Sequence, residues 1–364
     1  MGDHLQVHLK NEKFIPMKNA QKIEKVPLVG QSLEKIILNV QEMGFPKFRG
    51  KQIFQWLYQH RVNDFSDMKN VPNAIREKCG ESFNIHPLEL KLHTQSNQEP
   101  TEKFLFTLKR GENIESVLMK DRKRNTICIS TQVGCAVDCD FCATAKMGFQ
   151  KNLTVGEIVD QFIQVQNLAT IPITNIVFMG MGEPFLNYKN VISAADLLNH
   201  PEGTQMGARR ITISTAGVVS KIKQFAEEKH KYKLAISLNA SNESVRKEIM
   251  PITKTHGLNA LMEAADIYYQ SSGRFPTFEY VLMEGINDSL RDAHDLTRLI
   301  GRQPCKLNVI PYNEIGGYYK RPSDDKIKSF LSQLKNVPFQ VTVRWSRGTD
   351  IKAGCGQLAA SSDS

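Results

Sequence analysis

The chain has 364 residues, of which 41% are hydrophobic and 23% charged, and its mean hydropathy is −0.35. This composition is typical of a folded globular protein and excludes a disordered chain, a collagen-like repeat and a disulfide scaffold. No run of about 18 apolar residues occurs, and the amino terminus is too polar for a signal peptide, so we expect a cytoplasmic protein without a membrane segment. Lysine and arginine number 47 against 38 acidic residues, and this net charge of +9 suits a nucleic-acid partner as well as it suits solubility.

Three helices are predicted near the amino terminus, after a lysine-rich, aperiodic arm over residues 1–30. Apolar residues at helical spacing place these helices within residues 32–44, 45–62 and 71–83. The second helix interleaves basic with aromatic residues, a composition that can hold RNA phosphates while stacking on bases, although the aromatics can equally form a helical core. We therefore predict a small helical, RNA-binding accessory domain over residues 31–100.

Short apolar strands alternate with amphipathic helices through the remainder of the chain, residues 101–360. Such alternation is typical of βαβ units, which form a parallel sheet. About six units are present, too few for a closed eightfold barrel. The sequence therefore predicts an α/β fold, an incomplete (βα)6-type barrel that follows the helical domain and ends in a cysteine-containing segment.

The strongest chemical motif is a C-x3-C-x2-C triplet, Cys135, Cys139 and Cys142, on a loop that follows a predicted strand. Three thiolates on one tight loop can hold three irons of a 4Fe-4S cluster and leave the fourth iron open to a small molecule. A structural zinc site is the alternative, but it needs four ligands, usually as two separated pairs. The only nearby candidate for a fourth ligand, Cys128, lies within the preceding strand.

This triplet resembles the hallmark of the radical S-adenosylmethionine (radical SAM) superfamily, in which an aromatic residue, here Phe141, precedes the last cysteine. The resemblance implies one 4Fe-4S cluster whose open iron binds S-adenosylmethionine and cleaves it reductively to a 5′-deoxyadenosyl radical. A second motif, GMGEP, ends the next predicted strand at the edge where barrel enzymes build their sites. Within it, Gly182 lets the backbone approach a ligand closely and Glu183 can accept a hydrogen bond from an ammonium group.

Two further cysteines, Cys128 before the triplet and Cys355 near the carboxyl terminus, narrow the interpretation. Together with GMGEP, TQVGC and FRGKQIFQWLY, in this order and at compatible spacing, they resemble the RlmN family of dual-specificity RNA adenine methyltransferases over residues 32–360. The resemblance implies methylation of adenine carbon 2 in the peptidyl-transferase loop of 23S rRNA and beside the anticodon of certain tRNAs. Because carbon 2 is electron-poor, it cannot attack a methyl sulfonium, whereas a thiolate can.

By the same resemblance, two S-adenosylmethionine molecules are used per turnover, one as methyl donor and one as radical source. Cys355 takes the methyl group, the radical removes a hydrogen atom from it, and the resulting carbon radical adds to carbon 2. Cys128 then forms a transient disulfide with Cys355 and releases the methylated base. The family pattern gives Glu115 the role of the base that removes the carbon-2 proton, although an ordinary strand glutamate would look the same.

The resemblance also implies cofactor contacts at or just after successive strands. The residues carried over are Gly182, Glu183, Ser214, Ser237, Leu238, Asn239 and Asn313. Three positions depart from the family pattern, since the family often has histidine at the place of Asn239, alanine at the place of Gly354 and a basic residue at the place of Trp345. We further expect a flavodoxin and its reductase as electron donor, 23S rRNA and tRNA as partners, and a monomer.

Three alternatives stay open at the level of the sequence. A relative that methylates carbon 8 of the same rRNA adenine shares the cluster and both working cysteines, and only Pro184 after Gly-Met-Gly-Glu favours the carbon-2 enzymes. A non-catalytic, zinc-stabilised RNA-binding protein would be colourless. A radical enzyme acting on a small metabolite would leave Cys128, Cys355 and the basic helical domain unexplained.

Overall fold

The computed structural model describes residues 25–121 and 124–360, so that most of the predicted amino-terminal arm lies outside the described residues. The strands are β1 (Val26–Pro27), β2 (Phe83–Asn84), β3 (Leu88–Gln95), β4 (Thr101–Leu108), β5 (Asn113–Met119), β6 (Thr126–Cys128), β7 (Gln132–Val133), β8 (Lys151–Asn152), β9 (Asn175–Phe178), β10 (Ile211–Thr215), β11 (Lys233–Ser237), β12 (Thr277–Leu282), β13 (Lys306–Pro311) and β14 (Gln340–Val343). The helices are α1 (Leu33–Glu42), α2 (Phe48–Gln55), α3 (Asn73–Ser82), α4 (Ala143–Lys146), α5 (Val155–Leu168), α6 (Tyr188–Asn199), α7 (Val219–Glu227), α8 (Glu243–Ile249), α9 (Leu258–Ser272), α10 (Leu290–Ile300) and α11 (Asp324–Gln333).

Ten strands form the central sheet, in the order β14-β13-β12-β11-β10-β9-β6-β5-β4-β3. The seven strands from β6 to β14 in this order run parallel, and helices cross over between each consecutive pair. The three strands β3, β4 and β5 continue the sheet in antiparallel pairing. Six strand–helix–strand units in an unclosed sheet confirm the predicted incomplete (βα)6 barrel.

Local sequence signals fix several of the helix starts. Thr154 and Glu157 form a reciprocal capping box at the start of α5, in which the Thr154 hydroxyl accepts from the Glu157 N–H at 3.2 Å and the Glu157 carboxylate accepts from the Thr154 N–H at 2.8 Å. Ser289 and Asp292 repeat the arrangement at α10. Helix α5 buries most of its residues, among them the polar side chains of Glu157, Asp160 and Gln161.

The three predicted amino-terminal helices are present as α1, α2 and α3, and α2 continues into a π-helical turn over Trp56–His60. Phe54 and Tyr58 are fully buried, as expected if the aromatics form a core, whereas Phe48 is exposed. The predicted domain boundary at residue 100 does not coincide with the sheet, because β3 already begins at Leu88 and pairs along its whole length with β4. The alternating leucines of β3 bury one face, so these residues belong with the sheet in packing terms.

The carboxyl-terminal segment spans the opening between the two edges of the sheet. Arg347 donates to the Lys120 carbonyl after β5 at 2.9 Å, and the Ser96 hydroxyl after β3 donates to the Asp350 carboxylate at 2.7 Å. The segment that carries Cys355 therefore crosses from β14 to the antiparallel strands. Among the residues described, no helix combines the length and apolar character needed to cross a membrane.

Candidate active site

A large cavity lies at the carboxyl ends of the parallel strands, where loops from most units of the barrel converge. Such a position is the usual place for the active site of a parallel α/β barrel. Most of the residues singled out from the sequence line this cavity: Cys128, Cys135, Cys139, Cys142, Gly182, Glu183, Ser214, Ser237, Asn239 and Cys355. The fold therefore brings together residues that are as far apart in the chain as Cys128 and Cys355.

The triplet loop presents its three thiols to one wall of the cavity. Its turn is shaped by Asp138, which adopts a left-handed conformation with φ of 57°, and by the Cys142 N–H, which donates to the Cys139 carbonyl at 3.1 Å. Burial raises the pKa of Cys135 to about 12, with further contributions from Glu183 and Cys142. Burial likewise raises the pKa of Cys139 well above its ordinary value, and the charges of Cys142 and Cys135 raise it further.

These properties fit a cluster that supplies positive charge to the loop. The raised pKa values of Cys135 and Cys139 disfavour their thiolates, and iron bound at the loop would stabilise them. Within residues 25–121 and 124–360, no three metal-ligating side chains converge on a single ion, as a zinc site would require. A 4Fe-4S cluster binds each thiolate at a different iron, so that its ligands need not converge on one point.

The GMGEP segment packs so closely against the strand beside it that its glycines have no room for a side chain. Gly182 has φ of +96°, and a Cβ placed on it would lie 2.5 Å from the Cβ of Gln132. A Cβ on Gly180 would lie 2.6 Å from the Ser130 hydroxyl oxygen. The backbone of this segment is therefore held directly against β7 and the residues before it, and it forms a rigid part of the cavity wall.

Glu183 connects this segment to the next strand. Its carboxylate accepts from the Ala216 N–H at 2.6 Å and from the Phe185 N–H at 2.9 Å. Burial raises its pKa to about 7, although the hydrogen bonds from Ala216 and Phe185 oppose the shift. The backbone therefore fixes the orientation of the carboxylate. A cationic group bound in the cavity, such as an ammonium group, would lower the pKa of Glu183 and favour its ionised form.

The remaining predicted cofactor contacts divide into two groups. Ser214, Ser237 and Asn239 line the cavity, as expected for residues that follow parallel strands. Asn239 has φ of 57°, a conformation that asparagine tolerates, and its side-chain oxygen accepts from the Val281 N–H at 2.9 Å. Leu238 does not line the cavity, because its side chain is fully buried in the hydrophobic core.

Cys128 and Cys355 both line the cavity. Cys128 is the last residue of β6, and Cys355 lies in the carboxyl-terminal segment. Burial raises the pKa of Cys128 to about 12, and the protein atoms that surround the Cys355 thiol raise its pKa to about 11, although Cys355 is exposed to solvent. The cation of Arg344, which follows β14, lowers both thiol pKa values, and the negative charge of Cys355 in turn raises that of Cys128. Both thiols are therefore close enough to the same guanidinium to interact with it.

Arg344 is a functional candidate that the sequence reasoning missed. Burial opposes its charge, yet Cys355, Glu279 and Cys128 together raise its pKa above the ordinary value. Its guanidinium approaches the sulfur atoms of Met119 at 3.4 Å and Met179 at 3.8 Å. The signal available in the sequence was an arginine directly after the last apolar strand, where the carboxyl edge of the sheet begins.

The Cys355 loop is attached to the barrel by backbone contacts on both of its sides. Asn313 does not line the cavity but donates from its side chain to the Cys355 carbonyl at 2.9 Å. The Ala143 N–H, directly after the triplet, donates to the Gly356 carbonyl at 2.8 Å. Asn313 therefore positions the thiol-bearing loop, and this loop touches the triplet loop through the backbone.

Glu115 is buried outside the cavity lining. Its carboxylate pairs with Lys103 at 3.1 Å and accepts from the backbone N–H groups of Ala359 and Ala360, each at 3.0 Å. The structure therefore does not bring this residue together with the other predicted catalytic groups. Its direct role in this conformation is to attach the chain that follows Cys355 to β5.

Comparison with known proteins agrees with this geometry. The family model described as the radical SAM superfamily matches residues 129–297, and the model described as the ribosomal RNA large subunit methyltransferase N-terminal domain matches residues 26–85. A radical SAM methyltransferase from Sphaerobacter thermophilus has a similar structure, with 40% sequence identity, a TM-score of 0.89 and coverage of 92% of this chain and 100% of that one. The chain therefore has the fold of a radical SAM methyltransferase and belongs to this class of enzyme.

Similar proteins show which family of radical SAM methyltransferases this chain belongs to. A protein of Heliobacterium modesticaldum named "probable dual-specificity RNA methyltransferase RlmN" is 40% identical, over 97% of this chain and 94% of its own length. A protein of Geobacillus kaustophilus with the same name is 44% identical, over 87% of this chain and 88% of its own. The chain belongs to the RlmN family, which confirms the resemblance drawn from its motifs. Membership in the radical SAM superfamily implies S-adenosylmethionine and a 4Fe-4S cluster as cofactors.

Proposed function

We propose that this enzyme methylates carbon 2 of adenine in RNA, in the peptidyl-transferase loop of 23S rRNA and beside the anticodon of tRNA. The observation that carries the proposal is the shared cavity, in which Cys128 and Cys355 stand with the triplet cysteines. A radical enzyme for a small metabolite has no need of two additional thiols there. The name of the relatives, dual-specificity RNA methyltransferase, supports RNA as the substrate class.

The reaction begins at Cys355. Its thiolate, favoured by the neighbouring Arg344 cation, attacks the methyl group of one S-adenosylmethionine, so that a sulfur–carbon bond forms while the sulfonium bond breaks. Asn313 keeps the loop in place by its bond to the Cys355 carbonyl. Cys135, Cys139 and Cys142 would hold the cluster, which would supply one electron for the reductive cleavage of a second S-adenosylmethionine and so provide the radical that takes a hydrogen atom from this S-methyl group.

Carbon–carbon bond formation leaves a radical in which the adenine is joined to Cys355. This radical loses the carbon-2 proton and one electron, which the oxidised cluster would accept. Cys128 then attacks the Cys355 sulfur as a thiolate, so that a disulfide forms, the sulfur–carbon bond breaks and the released carbon takes up a proton to become the methyl group. Because burial raises the pKa of Cys128 to about 12, this thiol must first give up its proton. A dithiol reductant would supply the two electrons that restore both cysteines. Glu183, Ser214, Ser237 and Asn239 are the residues that we assign to S-adenosylmethionine.

We assign the removal of the carbon-2 proton to Glu115, with a structural condition. Its oxygen lies behind Ala359 and Ala360, whose N–H groups it accepts. Glu115 reaches an adenine in the cavity only after these two residues move away. The two hydrogen bonds would break in the same step, which would free the carboxylate to accept a proton. A flavodoxin with its reductase as electron donor and a monomeric enzyme complete the proposal.

The test is an anaerobic reaction of the iron-reconstituted enzyme with unmethylated 23S rRNA fragment and S-adenosylmethionine. The RNA is digested to nucleosides and analysed by mass spectrometry against standards. We expect 2-methyladenosine from the wild type and none from Cys355→Ala. The matched control is Cys305→Ala, since Cys305 is a buried thiol outside the cavity lining.

Other products would change the assignment. An 8-methyladenosine peak would keep the mechanism but move the enzyme to carbon-8 methylation. A protein that cleaves S-adenosylmethionine but methylates neither rRNA nor a tRNA anticodon stem–loop would overturn the RNA assignment. The same reaction with the tRNA stem–loop alone decides whether one or both RNAs are substrates.

A further inference from the structure

A chain of three tyrosines leads from the cavity to the surface, along the segment that follows β13. Tyr312 lines the cavity and is buried. The ring of Tyr319 packs edge-on against it, with centroids 6.3 Å apart, and its hydroxyl donates to the Asp140 carboxylate of the triplet loop at 2.9 Å. Tyr318 packs edge-on against Tyr319 at 5.5 Å, yet its own side chain is 83% exposed. Tyr318 is thus the exposed end of a row of three aromatic rings that begins in the cavity.

A basic side chain from another loop lies beside this segment. A Cβ placed on Gly317, next to Tyr318, would lie 3.5 Å from the Nζ of Lys146. Lys146 is the last residue of α4, the short helix that directly follows the triplet, and its side chain is exposed. The Lys146 ammonium group therefore lies close to the backbone of the segment that carries Tyr318.

A second pair of aromatic and basic residues lies on the adjacent loop. Trp345 is the second residue after β14 and is 52% exposed. The guanidinium carbon of Arg321 lies 5.8 Å from its ring centroid, within cation–π range. Because β13 and β14 are parallel neighbours, the segments that carry Tyr318 and Trp345 both leave the carboxyl edge of the sheet, where the cavity is. We name Lys146, Tyr318, Arg321 and Trp345 the aromatic rim.

Exposed rings next to cations are suited to a ligand that has flat bases and a charged backbone. Aromatic side chains stack on bases without regard to sequence, and Lys or Arg beside them bind phosphates. The overall charge of +9 favours the same class of ligand.

We infer that the aromatic rim binds the RNA strand that carries the target adenine, with the ring of Tyr318 stacked on a nucleobase adjacent to that adenine. This inference rests on the proposed function, because it assumes an RNA substrate. A target base must leave its stack to enter a deep cavity, and its neighbour then loses a stacking partner. Tyr318 replaces that partner at the mouth of the cavity.

The experiment compares Tyr318→Ala with Tyr318→Trp in the full-length enzyme. RNA affinity is measured by fluorescence anisotropy with a 23S rRNA hairpin and, separately, with a tRNA anticodon stem–loop. We expect Tyr318→Ala to weaken binding and to raise KM for RNA by roughly five- to hundredfold, while Tyr318→Trp restores both. The matched control is Phe275→Ala, since Phe275 is also a half-exposed aromatic but lies before β12, at the opposite edge of the sheet.

A fluorescent base identifies the stacking itself. With 2-aminopurine beside the target adenine, wild-type enzyme and Tyr318→Trp should quench its fluorescence, and Tyr318→Ala should not. Thermal unfolding of all three variants shows whether they are folded. We expect unchanged stability, because each substituted side chain is exposed. If the wild type binds no RNA, the proposed function fails. If the wild type binds and methylates RNA while Tyr318→Ala has unchanged affinity, KM and quenching, only this inference is overturned.

Discussion

Two walls of one cavity are built on different physical principles. The cofactor wall, from the triplet loop to the GMGEP segment, is held by close backbone packing within the barrel, as the contact of Gly182 with Gln132 illustrates. The thiol wall, the segment around Cys355, is held by single hydrogen bonds from residues elsewhere in the chain, such as those from Asn313 and to Glu115. A wall that positions a cofactor must be rigid, whereas a wall whose thiol first accepts a methyl group and then delivers it must be able to move.

The largest effect should follow removal of a ligand from the cofactor wall. We expect Cys139→Ala to lose nearly all bound iron and all 5′-deoxyadenosine formation, because two remaining thiolates cannot hold the cluster. Cys79→Ala is the matched control, since Cys79 is a buried thiol of α3. Cys355→Ala should keep the iron of the wild type. The iron content of the three variants is measured. Loss of iron in Cys355→Ala as well would show that the two walls do not have separate roles.

The attachment of the thiol wall can be tested at the Glu115–Lys103 pair. Both side chains are buried, so that Glu115→Leu should cost about 3–5 kcal/mol of unfolding free energy by leaving Lys103 without this carboxylate. The double variant Glu115→Leu/Lys103→Met should recover part of the loss. Urea unfolding measures the stability, and hydrogen exchange measures the N–H groups of Ala359 and Ala360. Unchanged exchange at these two residues in Glu115→Leu would show that the carboxylate does not hold the segment.

The rigidity of the cofactor wall can be tested at its glycines. Gly182→Ala combines an unfavourable φ with a Cβ 2.5 Å from Gln132, whereas Gly148→Ala has an unfavourable φ of +66° but open space around it. We expect Gly148→Ala to cost about 1–2 kcal/mol and Gly182→Ala about 1 kcal/mol more, together with weaker S-adenosylmethionine binding. Thermal unfolding and equilibrium dialysis measure the two effects. Equal losses for both variants would argue against close packing at this wall.

Removal of the Arg344 charge beside Cys355 should have the smallest of the predicted effects. Since Arg344 lowers the pKa of Cys355, Arg344→Met should raise that pKa further above its value of about 11. Between pH 7 and 9.5 the thiolate fraction would then fall about tenfold for each unit of the rise, and S-methylation of Cys355 would slow by the same factor. Arg344→Lys keeps the charge and should stay near the wild-type rate. The rate is followed by mass spectrometry, and equal rates in all three proteins would exclude a role for this cation.

Some features of the molecule could be predicted because their physical cause is local. The triplet, the GMGEP segment and the alternation of strands with helices are visible in short stretches, and the structure contains all of them where they were expected. The strand β3 was assigned to the helical domain although its leucines alternate, because nothing in its own sequence shows that β4 is its partner. The burial of Asp160 and Gln161 in α5 could not be predicted either, because they accept hydrogen bonds from the N–H groups of Leu88 and Ser130, which lie in distant parts of the chain.

The sequence by itself determined the chemistry that is available to this protein: three thiols at cluster spacing, two further thiols, a glycine-rich segment and an α/β barrel. Only the tertiary structure decided which groups meet. Curling of the sheet brings Cys355 to the same cavity as Cys128, under the influence of Arg344, while it encloses Glu115 behind Ala359 and Ala360. These contacts join residues more than two hundred positions apart. No local pattern encodes them, because they depend on the summed twist and packing of ten strands.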